Sequence, residues 1–151
     1  MTAHIEIVPT TRDHIYELLE TIREDDRKEI EALGMTAAKG LWQAYRLSLI
    51  TKTALIDGKV GAVWGLGGEA LGDTARPWLL TSTESTKISP ITFARIYRKE
   101  AHQMLSMFPN LINYVWCEHK AAIRMLEICG FTIGKPLKLG NGMFLEFSMR
   151  A

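Results

Sequence analysis

The sequence predicts an α/β (α+β) fold in which a mixed β-sheet is covered by helices. Three observations carry that expectation. Hydrophobic periodicity switches along the chain between the two-residue repeat of strands and the 3.6-residue repeat of helices, in the order β-α-α(α)-β-β-β-α-β-α-β-β. Two turn signals, Asp57-Gly58 and Gly140-Asn141-Gly142, each join a pair of apolar runs in the manner of tight hairpins. The chain has 151 residues, 47% of them hydrophobic, which suits one domain (1–151) with a full core.

His4 to Val8 alternates as a first strand, closed by Pro9 and two threonines. Thr11 or Asp13 caps the next helix, whose Ile15, Leu18, Leu19 and Ile22 form an apolar stripe. Glu24 to Glu31 is dense in charge of alternating sign and reads as a solvated helix face. Gly34 ends that helix, and Thr36 to Ser48 forms another, turning Leu41, Trp42, Tyr45 and Leu49 inward. From Lys52 to Gly67 the period changes to that of a hairpin built around Asp57-Gly58. Glycines 61, 65, 67, 68 and 72 match neither nucleotide-binding glycine spacing and precede a strand, so they read as hairpin and bulge glycines.

Arg76 to Ser82 is the next strand. Ser89-Pro90 then opens the longest helix, with Ser as N-cap and Pro at its first position. Phe93, Tyr97, Ala101, Met104, Leu105 and Phe108 share one face of it, and Pro109-Asn110 ends it. A strand from Asn113, a short amphipathic helix and Gly130-Phe131 follow. Lys135–Leu139 and Met143–Met149 close the chain as a hairpin.

Composition narrows the function. Eighteen basic and seventeen acidic residues give a net charge of +1, which offers no electrostatic footprint for nucleic acid or an anionic membrane. Cys117 and Cys129 lack Cys or His neighbours at ligand spacing, so no metal site is expected and both read as small core residues. Neither a secretory signal nor a bilayer-length apolar run is visible, so a cytoplasmic location is expected.

The stretch Asn113–Phe131, NYVWCEHKAAIRMLEICGF, carries the most specific pattern. It resembles the closing β-α unit of the GNAT acetyltransferase family, Asn-x-x-Ala-x-x-Leu-Tyr-(three residues)-Gly-Phe. His119, Ala122, Met125, Leu126, Gly130 and Phe131 fall on its positions: the scaffold residues match, and the polar Asn and Tyr are replaced by His119 and Leu126. The element order also resembles the GNAT order over nearly the whole chain. It implies a central mixed, mostly antiparallel sheet flanked by helices, with a C-terminal β-hairpin. Within that family the chain resembles a group of GNAT-like proteins of T7-like tailed phages, through Trp78–Ser82, the helix from Pro90, Asn113-Tyr-Val-Trp116 and Ile123-Arg124. A phage protein would work in the host cytoplasm or in association with the virion.

The resemblance implies acetyl-CoA as cofactor and an amine, small or on a protein, as acceptor. Acetyl transfer needs main-chain N–H groups for the pyrophosphate, a donor for the carbonyl oxygen, a base for the amine and an acid for the thiolate. The implied cofactor-binding set is Leu80, Thr81, Ser82, Thr83, Lys87, Ser89 and His119. The family's phosphate motif falls on Glu84 to Ser89, where Glu84 replaces Arg or Gln and Lys87 replaces the first Gly. Glu118 and His119 are the catalytic candidates, with Glu69, Asp73 and Glu24 to Asp26 as further acidic groups. Tyr97 and Tyr114 are the tyrosines available to replace the missing acid. Two functions follow: an acetyl-CoA-dependent N-acetyltransferase or acyl-CoA binder, or a GNAT-derived binding protein that engages a host enzyme or serves virion assembly.

Overall fold

A computed structural model describes residues 3–151 of the protein. Strand β1 (Ile5–Pro9) leads into three helices, α1 (Arg12–Thr21), α2 (Glu24–Ala32) and α3 (Ala37–Leu47). A meander of β2 (Ser48–Ile56), β3 (Lys59–Gly68) and β4 (Thr74–Thr81) follows. A 3-10 helix (Thr83–Lys87) then precedes α4 (Pro90–Met107), β5 (Asn110–Trp116), α5 (Lys120–Cys129), β6 (Thr132–Leu139) and β7 (Gly142–Arg150).

The strands form one seven-stranded sheet in the order β1-β2-β3-β4-β5-β7-β6. Every neighbouring pair is antiparallel except β4 and β5. Those two run parallel and pair only at Thr74–Asn110 and Ala75–Leu111 before they separate. The next residue of β4 due to offer an N–H to β5 is Pro77, which has none, so the ladder stops there. This fork at the middle of the sheet creates the site.

Two cores lie on opposite faces. Ile15, Leu18, Ile30 and Leu41 of α1–α3 pack with Val60, Val63 and Leu80. Phe93, Tyr97, Ala101 and Met104 of α4, with Leu126 and Cys129 of α5, pack with Trp64, Leu66 and Leu111. The switch of face along β3 comes from a bulge: Ala54 pairs with Ala62 and Leu55 with Val60, leaving Gly61 as the extra residue. At the β2–β3 turn Asp57 (φ 51°) and Gly58 (φ 83°) take the two left-handed positions of a tight hairpin turn.

Several boundaries differ from the sequence expectation. Helix α3 ends at Leu47, because Ser48 already pairs with Gly67. Leu49 therefore belongs to β2 and is 43% exposed rather than turned inward. Strands β4 and β5 start earlier than Arg76 and Asn113, at Thr74 and Asn110, where their short parallel pairing lies. Thr11 caps α1, accepting from His14 N–H at 3.3 Å.

Gly65 has a packing role as well. It pairs with Trp78, and a Cβ there would lie 2.7 Å from the indole ring. That indole is held by an Nε1–H donated to Ser48 Oγ at 2.7 Å. Gly65→Ala is expected to destabilise the fold by ~1–3 kcal/mol through overpacking. Urea denaturation checks this; an unchanged midpoint would show that the indole moves aside at no cost.

Candidate functional site

The fork between β4 and β5 opens into a cavity of about 550 Å³, within the range of small-molecule sites. Trp78 to Thr81 of β4 and Asn113 to Val115 of β5 form two sides, and Phe93, Tyr97, Ala122, Met125 and Leu126 cover it from α4 and α5. The fork is propped at its base by Asn113, whose Nδ2–H donates to Pro77 C=O at 2.8 Å.

Alternation along β4 decides which main-chain groups face the opening. Pro77 C=O bonds Asn113, and Thr81 N–H bonds Asp26 at 2.7 Å, so both point away from β3. Leu79, between them, points the same way. Its N–H and C=O thus face the cavity, outside the β3 ladder. Leu80 belongs to the alternate set facing β3, and its side chain packs in the core under α1–α3. Ser82 is fully buried, donating N–H to Gly61 C=O at 2.9 Å and Oγ–H to Val60 C=O at 2.6 Å. Of Leu80, Thr81 and Ser82, the strand residues in the implied cofactor-binding set, each N–H is thus directed or bonded elsewhere, and Leu79 is the residue that offers one.

Helix α2 closes the fork at its open end. Ile30 and Leu33 share an inward stripe with Asp26 and Glu29, at spacings of three, four and seven residues. Asp26, 5% exposed, accepts Thr81 N–H and Thr81 Oγ–H (2.6 Å) on Oδ2. Its Oδ1 lies 2.6 Å from His119 Nε2. Glu29 Oε2 accepts the N–H of Trp116 at 2.8 Å. One helix thus ties β4 to β5 where the strands no longer reach each other.

His119 is buried and caps α5. Its Nδ1 accepts Ala122 N–H at 3.3 Å, so the tautomer protonated on Nε2 satisfies both ring nitrogens. Burial by itself would lower its pKa. The Asp26 hydrogen bond and the charges of Asp26, Glu29 and Asp25 outweigh that, and the net shift is upward. With both nitrogens engaged, His119 serves the architecture of the site and has no free lone pair for a substrate. Glu118 is exposed and lies outside the cavity lining, as are Glu69 and Asp73 on the β3–β4 connection.

The group best suited to take a proton is Glu29. Burial, partly offset by the Trp116 N–H and by His119, pushes its carboxyl up to about 7. One carboxyl oxygen is bound to Trp116, and the side chain lines the cavity. Reading 24–31 as a wholly solvated face misses it. The signal was present, since Asp26 and Glu29 fall on the stripe marked by Ile30. Among the tyrosines, both Tyr97 and Tyr114 line the cavity. Tyr97 is buried, its pKa raised by burial and by neighbouring Cys129 and Glu100, so it stays a protonated O–H. Leu126 contributes only apolar wall. Cys129, its pKa pushed up to about 11 by burial, is a neutral thiol whose S–H points to Ala94 C=O at 3.3 Å.

The polar loop expected to hold phosphate is folded on itself. Ser82 Oγ accepts Glu84 N–H, Ser82 C=O accepts Ser85 N–H, and Ser85 C=O accepts Ile88 N–H. Thr86 and Lys87 lie within the same 3-10 helix, whose repeat bonds each N–H to a carbonyl three residues back. Ser85 and Thr86 hydroxyls donate to Ser82 and Thr83 carbonyls at 2.7 and 2.8 Å. Ser89 caps α4 through Thr92 N–H at 3.1 Å, and Lys87 Nζ is paired to Glu84 at 2.5 Å. Among the described residues no group of three or more His, Cys, Asp or Glu is arranged to hold a metal ion, and no helix is long and apolar enough to cross a membrane.

A seven-stranded mixed sheet forked between its parallel pair, with helices on both faces, is the GNAT fold, and solved structures of that fold match the chain end to end. A provisionally designated acetyltransferase of Acinetobacter baylyi ADP1 is similar with a TM-score of 0.73 and 14% identity, over 100% of this chain and 95% of that one. AAC(6')-Ib in complex with ribostamycin and coenzyme A is similar at 0.72 and 11%, over 97% and 93%. A GNAT-family acetyltransferase of Streptococcus pneumoniae is similar at 0.64 and 13%, over 97% and 99%. Residues 53–135, more than half of the chain, match the family described as "Bacteriophage T7, probable scaffold protein Gp13", and the chain belongs to that family. No curated protein matches the chain in sequence.

Proposed function

We propose that the protein transfers an acyl group, acetyl in the first instance, from a thioester of the acetyl-CoA class to an amine. The observation that carries this reading is the forked cleft, with the free main-chain groups of Leu79 on one strand and Glu29 lining the same space. Leu79 N–H is the donor suited to a thioester carbonyl as negative charge develops on its oxygen. Glu29, with a pKa near neutrality, takes the proton that the amine loses as its nitrogen bonds the acyl carbon. The carbon–sulfur bond breaks as that bond forms, and Tyr97 is the buried hydroxyl the cleft offers to the departing thiolate. Similar proteins solved with coenzyme A or acetyl-CoA support the thioester class.

Thiol release from acetyl-CoA, measured over a panel of small amines and lysine peptides, tests the reading. Wild type is expected to turn over at least one of them, and Glu29→Gln to lower kcat by ~10²-fold or more while donor binding persists. The reading fails if wild type releases no thiol with any amine and shows no thermal shift at millimolar thioester.

The family's description as a probable scaffold protein supports a second reading, in which the GNAT-fold domain acts in virion assembly as a binding protein. The two separate in a complementation assay. A phage carrying Glu29→Gln would lose the function under the transfer reading and keep it under the binding reading.

A further inference from the structure

The cleft and the loop beside it disagree about the donor. A nucleotide thioester brings a diphosphate that in this fold needs several unpaired N–H groups at the start of the helix after β4. Here the N–H groups of residues 84 to 88 are all turned back onto the chain. At the α4 start Pro90 has no N–H, and the Thr92 and Phe93 N–H groups are held by Ser89 at 3.1 and 3.0 Å, which leaves Ile91 N–H as a single donor where a diphosphate needs several. The hydroxyls of Ser82, Ser85 and Thr86 each donate to a carbonyl of the protein. Lys87 is neutralised by Glu84, which also draws Lys59 to 3.9 Å. A further cation lining the cleft, Arg23, sits at the α1–α2 junction with its main-chain N–H fixed on Thr81 C=O.

The apolar arm of such a donor meets the opposite situation. The covering residues Phe93, Met125 and Leu126 are apolar, and Leu79 offers one N–H and one C=O to an amide-bearing chain lying along β4. We infer that the site recognises the acyl-pantetheine end of a thioester and does not grip a nucleotide diphosphate. This rests on the thioester reading above and narrows its donor. Acyl-pantetheine, free or carried as phosphopantetheine on a protein, is then bound about as well as the nucleotide form, because the diphosphate adds cost of ordering and gains too few partners to offset it.

Calorimetry on the full chain with S-acetylpantetheine, acetyl-CoA and an acetylated phosphopantetheine carrier protein tests it. The expected result is dissociation constants for acetylpantetheine and acetyl-CoA within tenfold of each other, with acetyl-CoA binding insensitive to salt between 50 and 500 mM, roughly a threefold change in screening length. Tighter binding of the carrier protein than of free acetylpantetheine would identify the carried form as the source, and equal binding the free form. Glu84→Gln, which releases Lys87, is expected to tighten acetyl-CoA severalfold and leave acetylpantetheine unchanged. A preference for acetyl-CoA above tenfold overturns the inference and leaves acyl transfer standing. So does a selective loss of acetyl-CoA binding in Arg23→Ala. Failure of all three thioesters to bind at millimolar concentration removes both readings.

Discussion

Asp26→Ala is expected to cost ~2–5 kcal/mol of folding stability, because it strands buried donors at ~1–3 kcal/mol each. Against a typical total of ~5–15 kcal/mol, that is a large share. The carboxylate accepts three hydrogen bonds, from Thr81 N–H, Thr81 Oγ–H and His119 Nε2–H, and it is the link between α2, β4 and α5. Its removal leaves Thr81 N–H and the imidazole without partners in a place water reaches poorly. Asp26→Asn should be milder. The amide oxygen still accepts from Thr81, and only the His119 contact turns into two opposed donors. The imidazole cannot switch tautomer freely, because Nδ1 is needed as the acceptor for Ala122 N–H. Urea denaturation of Asp26→Ala, His119→Ala and the double variant separates the pair from the cap. A coupling energy near zero would mean that the two side chains stabilise the fold independently and that the link across the fork is not a unit.

The scaffold was legible because its signals are local. Asp57-Gly58 marks its hairpin through dihedral preference alone, Ser89-Pro90 marks the start of α4, and Gly130 takes the left-handed position after α5 (φ 101°). The order of elements follows from such marks. The site was less legible because it is built from separations no local pattern encodes. Asp26 and His119 are 93 residues apart, and Glu29 and Trp116 are 87 apart. The 24–31 segment shows why. Arg27 pairs with Glu24 and Glu31 on the outer face of α2, as its alternating charges imply. Yet the same density of charge hides Asp26 and Glu29, which differ from their neighbours only in phase relative to Ile30. Leu49 erred for the opposite reason. A helical stripe continued past Leu47 looks identical in sequence to the first residues of a strand, and pairing of Ser48 with Gly67 decided between them.

The loop after β4 adds a physical lesson about substituted motifs. A glycine lost from a phosphate loop is commonly read as steric obstruction of the ligand. Here the consequence is larger than a blocked approach. The segment, which holds no glycine, is wound as a 3-10 helix, and its N–H groups are intrachain donors. Glu84 and Lys87, three residues apart in that helix, pair with each other. Each holds the other in its charged form: the Lys87 hydrogen bond lowers the Glu84 pKa, and the Glu84 hydrogen bond raises that of Lys87. The substitutions are mutually consistent as a closed turn, which is a different outcome from the erosion of an open one.

Glu29→Gln is expected to stabilise the protein above neutral pH and to flatten its stability profile below it. Glu29 has a pKa raised from 4.5 to about 7, with burial as the main cause. A group shifted upward contributes its full stability below the unfolded value, here pH 4.5, and loses that contribution as pH rises through 7. The full shift corresponds to ~3 kcal/mol, and residual solvent access at a partly exposed side chain reduces this to ~1–3 kcal/mol. His119, also shifted upward, pulls in the same direction, since its contribution is complete below pH 6.5 and fades above its folded value. The two are coupled, because the Glu29 charge favours protonation of His119, against which stands the loss of the Ala122 N–H cap on Nδ1. The substituted side-chain amide keeps an acceptor for Trp116 N–H, so the strand contact survives. Thermal or urea melts at about pH 5 and pH 8, on either side of the shifted value, should therefore show near-equal stabilities at the lower pH and a more stable variant at the higher one. Were the difference the same at both, Glu29 would not be titrating between them. The same substitution would then also lose its standing as a probe of catalysis, because a carboxyl already ionised at about pH 5 is too weak a base near neutrality to take the amine's proton efficiently.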